Sequence, residues 1–222
     1  MLLAGIAASA ALGGCGRGGR PEEGASPSVP APTPAAADVR PVILFLGTSL
    51  TAGFGLDPSQ AYPALIQEKI DLAGLRYRVV NAGVSGETSA GALRRIDWLL
   101  KQRVAVLVLE TGANDGLRAQ DPEATRANIQ AILHRARAQQ PPPALALVAM
   151  EALPNYGEGY RRRFRAVYPA LARESGAVLI PFLLEGVAGV PSLNQADGIH
   201  PNADGQRRVA GNVWKALRPQ LH

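Results

Sequence analysis

Ile43-Leu44-Phe45-Leu46-Gly47-Thr48-Ser49-Leu50-Thr51-Ala52-Gly53-Phe54-Gly55-Leu56 is the stretch that decides the fold. Its apolar run, starting at Val42 and ending at Leu46, has no polar alternation, which is the pattern of a strand covered on both faces. The run stops at Gly47, and Ser49 sits in the turn that follows. Open α/β sheets gather their chemistry beyond the carboxyl ends of such strands. A lone serine there is ordinarily a turn residue, so its meaning depends on what the rest of the chain brings to the same edge.

Four more apolar runs, at 77–81, 104–109, 144–150 and 178–181, read as further strands. Helical patterns fall near 59–73, 88–101, 121–139, 158–174 and 202–217. Thr88 and Asp121 suit helix starts, the latter with Pro122 in the first helical position. Gly74 and Gly176 suit helix ends. Strict alternation of strand and helix implies an α/β fold with a five-stranded parallel sheet and helices on both faces, three layers in all. Right-handed crossovers then bring every strand's carboxyl end to one edge.

The 222 residues suffice for one sizeable core. Apolar residues make up 47% and charged residues 18%, an ordinary globular balance. Net charge is +5, with a pI near 9.8. Residues 1–40 hold three basic and three acidic groups, so the excess lies on the remainder. The arginines are scattered, without a basic stripe interleaved with aromatics, which excludes a nucleic-acid partner. The densest run, Arg161–Arg163 with Arg165, reads as a solvated helix face.

Residues 1–14 are short, apolar and end in small residues, like the core of a secretory signal, and too short to span a bilayer. Leu12-Gly13-Gly14-Cys15 resembles the lipobox of bacterial lipoproteins, which implies lipidation of Cys15, export and a membrane anchor; no Lys or Arg precedes the apolar stretch. Cys15 is the sole cysteine, so no internal disulfide forms. Gly14-x-Gly16-x-x-Gly19 fits a dinucleotide fingerprint, but no strand precedes it and no helix follows. Residues 16–40, rich in Gly, Pro, Ala and Ser, read as a disordered tether. The expected division is a signal segment at 1–15, the tether at 16–40 and one catalytic domain at 41–222.

Four stretches would converge at the sheet edge: Ser49 after the first strand, Asn81–Thr88 after the second, Thr111–Asp115 after the third, and Asp197-Gly198-Ile199-His200-Pro201 opening the last helix. Acyl transfer needs a nucleophile, a base, a group that orients the base, and donors for the developing oxyanion. Of three histidines, His134 lies in an arginine-flanked helix and His222 ends the chain, which leaves His200 as the candidate base with Asp197 three residues before it, a spacing that by itself also fits a loop cap. Gly86 offers an N–H that a substrate can approach closely, and Asn114 offers an uncharged NH₂.

These blocks resemble the SGNH (GDSL-type) hydrolases, in particular the bacterial thioesterase/lysophospholipase/arylesterase group. The likeness runs from about residue 43 to about 217 and rests on Gly47–Gly53, Asn81–Thr88, Gly112–Gly116 and Asp197–Pro201. It implies a flavodoxin-like SGNH fold, Ser49 as nucleophile, His200 as base and Asp197 as orienting acid. It also implies an oxyanion hole of the Ser49 N–H, the Gly86 N–H and the Asn114 side chain. Leu153-Pro154-Asn155-Tyr156-Gly157 resembles the group's substrate-side loop, and Phe54, Leu153 and Tyr156 are its candidate acyl-groove walls. One departure stands out: Thr48 occupies the position of the usual Asp.

The expectation is therefore a monomeric serine esterase acting on acyl, aryl or lysophospholipid esters and on thioesters, with no cofactor and no metal. A carbohydrate acetylesterase of the same fold, or a non-catalytic lipid- or phosphate-binding module, is the alternative. The chain has no Gly-x-Ser-x-Gly around Ser49, no His-Glu-x-x-His and no P-loop lysine.

Overall fold

The computed structural model describes residues 38–222. The expected signal segment, Cys15 and nearly all of the tether lie outside the described residues. Five strands form one parallel sheet: β1 (Val42–Gly47), β2 (Arg78–Gly83), β3 (Val104–Leu109), β4 (Ala144–Val148) and β5 (Val178–Ile180). Their order is β2-β1-β3-β4-β5, the flavodoxin-like order, which reverses direction between β1 and β3. Every residue of β1 is buried, as its unbroken apolar run requires. The edge strand β2 is only partly covered.

Registers align the carboxyl ends. Gly47 of β1 lies opposite Gly83 of β2, and Leu46 lies opposite Leu109 of β3. The loops leaving β1, β2 and β3 therefore start side by side. The chain enters the sheet at Val42, at the other edge.

Seven helices complete the described residues: α1 (Ser49–Ala52), α2 (Tyr62–Leu72), α3 (Ser89–Leu99), α4 (Ala113–Leu117), α5 (Pro122–Arg137), α6 (Gly157–Ser175) and α7 (Ala203–Leu217). Helices α2 and α7 pack together, and α5 packs against both α3 and α6. The core comprises the strands with Ile66 and Ile70 of α2, Ile129 and Ile132 of α5, Phe164 and Tyr168 of α6, and Val209 and Val213 of α7. The Thr88 side chain accepts the Gly91 N–H to start α3, and Asp121 accepts the Glu123 N–H to start α5. Gly176 ends α6 at φ +59°, a left-handed conformation that glycine adopts without Cβ strain.

The elements follow the sequence expectation with two additions. The segment expected as a turn at Ser49 is the one-turn helix α1, and α4 was not anticipated. Four or five residues are too few to show a 3.6-residue period. Strand β4 ends at Val148 rather than 150, and helix α2 begins at Tyr62 after a separate 3₁₀ turn, Pro58–Gln60. Among the described residues no helix is long and apolar enough to cross a membrane.

Candidate active site

Ser49 opens α1 at the point where the strand order reverses. Its Oγ lies 2.9 Å from His200 Nε2. His200 Nδ1 lies 2.6 Å from Asp197 Oδ2. The other Asp197 oxygen accepts the backbone N–H groups of Ile199 at 2.9 Å and His200 at 3.0 Å. The hydrogen bond from His200, with these two N–H groups, holds Asp197 down to about 2. An ionised carboxylate only accepts, so Nδ1 carries the proton and Nε2 is left to accept from the Ser49 hydroxyl.

The loop bearing His200 is held from several sides. The Gln195 N–H donates to the His200 carbonyl at 2.8 Å. The Gln195 side chain donates to Phe54 O at 2.6 Å and to Pro201 O at 3.1 Å, joining this loop to the segment after α1. A side chain on Gly55 would meet Gln195 Oε1 at 2.3 Å, so the Gln195 amide that binds Phe54 O would have to shift. The Phe54 ring lies against the imidazole, with centroids 4.5 Å apart.

Beside Ser49 stands a cavity of about 500 Å³ lined by Ser49, Phe54, Gly86, Asn114, Leu153 and His200, with Met150, Phe182, Leu184, Ile199, Glu151 and Arg161 among its other walls. Its size is that of a small-molecule site. Gly86 adopts φ +76°, and a Cβ there would meet nothing within 4 Å. Arg118 Nη2 donates to Gly86 O at 3.3 Å. Asn114 gives one amide hydrogen to Glu87 O at 2.9 Å, which leaves the other for a ligand. The Ser49 N–H heads a helix and has no intrahelical acceptor.

The loop carrying Gly86 is anchored by Arg95. Its guanidinium grips Glu87 through two bonds, of 2.7 and 2.6 Å, and also donates to Ala82 O at 2.6 Å. Asp115, fully buried, accepts the Ser89 N–H at 2.8 Å and the Ser89 hydroxyl at 2.5 Å, tying α4 to the start of α3. Gly112 takes φ +96° with Tyr168 OH only 2.3 Å from where a Cβ would sit.

Ser49, Asp197 and His200 thus form one hydrogen-bonded chain, and Gly86 and Asn114 share its cavity. Of the expected groove walls, Phe54 and Leu153 line the cavity, at 48% and 43% exposure, neither of them in the core. Tyr156 does not line it. The tyrosine belongs to a 3₁₀ turn, Pro154–Tyr156, that aims its hydroxyl at Leu117 O, 2.7 Å away, and packs it edge-on against Tyr160. It is a brace between α4 and α6, and the loop sequence alone does not tell which side it faces. Thr48, the departure noted above, caps α1 and hydrogen-bonds to buried Glu110. Glu110, Arg95 and Gln195 were missed. A carboxylate ending the apolar run Val104–Leu109 is the one signal that marks Glu110 in the sequence.

A hydroxyl, an imidazole and a carboxylate linked in this way, beside convergent amide donors, can carry out nucleophilic acyl transfer. The comparisons agree. The model of the GDSL-like Lipase/Acylhydrolase family matches residues 45–208. Esterase TesA of Pseudomonas aeruginosa is 43% identical over 180 residues, covering 81% of this chain and 89% of that protein. Thioesterase 1/protease 1/lysophospholipase L1 of Escherichia coli K12 is 42% identical, covering 85% of this chain and 87% of its own. The crystal structure of esterase EstA from Pseudoalteromonas sp., inhibited by monoethylphosphonate, superposes with a TM-score of 0.76 at 33% identity, covering 81% of this chain and 97% of that one.

Proposed function

This chain belongs to the GDSL-like lipase/acylhydrolase family, and from that premise we propose a two-step serine esterase mechanism centred on Ser49. The protein is a serine esterase of carboxylic esters. Ser49 Oγ attacks the acyl carbonyl carbon while His200 Nε2 takes its proton. Asp197 orients the ring and stabilises the imidazolium that forms. The carbonyl oxygen becomes an oxyanion held by the Ser49 N–H, the Gly86 N–H and Asn114 Nδ2. Collapse of the tetrahedral intermediate expels the leaving group, which receives the proton from His200. Water, deprotonated by His200, then cleaves the acyl-enzyme and restores Ser49.

The observation that carries this reading is the pair of contacts at 2.9 and 2.6 Å linking Ser49, His200 and Asp197. Labelling with a fluorophosphonate and mapping the modified peptide tests it. The label is expected on Ser49, and a label elsewhere overturns the assignment.

The mostly apolar cavity supports an acyl chain as the group held beside Ser49, with Phe54 and Leu153 against it. Acyl, aryl and lysophospholipid esters, and thioesters, are the proposed substrates. A p-nitrophenyl ester series from acetate to palmitate, set against acyl thioesters, would sort them; no preference for acyl groups longer than acetyl would favour a carbohydrate acetylesterase. The proposal also takes the protein as a monomer, exported and lipidated on Cys15. On that reading a Cys15→Ser protein leaves the membrane fraction, and unchanged membrane association overturns the anchor. Stable attachment needs more than one acyl chain.

A further inference from the structure

Glu110 follows the last residue of β3 and is fully buried, yet it has no part in the chain of bonds from Asp197 to Ser49. Its carboxylate lies against the turn that carries Ser49. One oxygen accepts the Thr48 N–H at 2.8 Å and the Thr51 hydroxyl at 2.8 Å. The Thr48 hydroxyl lies 3.0 Å from both oxygens. Thr51 Oγ1 in turn meets Tyr62 OH at 2.8 Å. The residue before Ser49 and the residue two beyond it are therefore tied to one buried group on the neighbouring strand.

The closeness is built into the backbone. A Cβ on Gly47 would stand 2.0 Å from Thr51 Oγ1 and 2.7 Å from Glu110 Oε2. A carboxyl group taken out of water costs several kcal/mol unless its oxygens find donors. Here three donors converge on it, all from the four-residue span Thr48–Thr51. An apolar side chain in its place would leave the Thr48 N–H and the Thr48 hydroxyl without this acceptor and the Thr51 hydroxyl with Tyr62 alone.

We propose that Glu110 is a positioning residue of the esterase reaction: it fixes the turn so that the Ser49 hydroxyl meets His200 while the Ser49 N–H faces the oxyanion. This rests on Ser49 being the nucleophile. Glutamine at 110 can reproduce the contacts, its oxygen accepting from Thr48 N–H and Thr51 O–H and its NH₂ donating to Thr48 Oγ1. Leucine can reproduce none of them.

The test is the kinetics of p-nitrophenyl butyrate hydrolysis by Glu110→Leu and Glu110→Gln enzymes, with folding verified by circular dichroism. Displacement of a reacting group by about 1 Å can cost about a hundredfold. Glu110→Leu is therefore expected to lose about a hundredfold in kcat with KM within about twofold, and Glu110→Gln to return within about tenfold of wild type. A folded Glu110→Leu enzyme with wild-type kcat overturns the proposal, and so does a Glu110→Gln enzyme as impaired as Glu110→Leu. Should Glu110→Leu fail to fold, Thr51→Val removes the Thr51 hydroxyl contact to Glu110 and leaves the Thr48 contacts and the α1 cap in place. A loss of about tenfold in kcat at constant KM then supports the role, and wild-type kcat overturns it. Fluorophosphonate mapping of the wild-type enzyme tests the premise separately, because a label away from Ser49 overturns the nucleophile whatever the variants do.

Discussion

Glu110 and Asp197 are carboxylates displaced in opposite directions. Burial raises Glu110 from 4.5 to about 7, whereas the hydrogen bond from His200 lowers Asp197 from 3.8 to about 2. Between pH 4.5 and 7 the folded chain holds a proton on Glu110 that the unfolded chain has released. The unfolding free energy should thus fall as pH rises through that window and level off above it, by on the order of 3 kcal/mol. Asp197 contributes stability above pH 3.8, lost as pH falls through about 2. Urea unfolding of wild type and Glu110→Gln at pH 5 and pH 8 isolates the first effect: the variant should gain on wild type at the higher pH, and a constant difference would refute it. At the oxyanion, replacing Asn114 by alanine should lower kcat by roughly a hundredfold to a thousandfold, about 3 to 4 kcal/mol in the barrier, with little change in KM; steady-state kinetics check it. The convergence of Ser49, Gly86, Asn114, Asp197 and His200 was legible in the sequence because their motifs follow strand ends or open the last helix, and because together those motifs resemble one family's blocks. Glu110, Arg95 and Gln195 were not, because their partners are set by the fold alone: Thr48 lies 62 residues from Glu110 and Phe54 lies 141 from Gln195.

At the level of elements, burial on both faces writes itself into sequence as unbroken apolar runs, which is why β1 and β3 could be read directly. The limits of β2 and β4 were harder to read, since pairing rather than composition decides where a strand stops. The helices α1 and α4 escaped notice because each is barely one turn, held by neighbours rather than by an amphipathic stripe. The placement of α1 depends on a bare backbone contact. A Cβ on Gly83 would lie 2.2 Å from the Ala52 backbone nitrogen, and neither partner can swing aside as a long side chain would. Gly83→Ala should therefore push α1 away from β2, lowering stability by about 1–3 kcal/mol and reducing kcat because Ser49 travels with α1. The urea midpoint and kcat, measured on one preparation, would both stay at wild-type values if α1 yields freely.

For the molecule as a whole, the sheet order places the Ser49 loop beside the loops that carry Gly86 and Asn114, while the loop entering α7 brings His200 to them from the far end of the chain. The cavity of about 500 Å³ is assembled from all these parts, so its length can be altered without touching the acid–base groups. Leu153→Trp should reduce kcat/KM for long-chain p-nitrophenyl esters by about tenfold relative to the acetate, since bulk added to a filled pocket costs about 1–3 kcal/mol; equal losses across the series would show that Leu153 does not meet the acyl chain. The hydroxyl–imidazole contact joins residues 151 positions apart. On the ribosome, then, the serine emerges early and stays harmless for most of synthesis, as an alcohol with no partner to activate it. On the proposed mechanism hydrolytic power arrives only once the segment entering the closing helix has docked, so a chain that stops short of residue 200 carries the serine without its base.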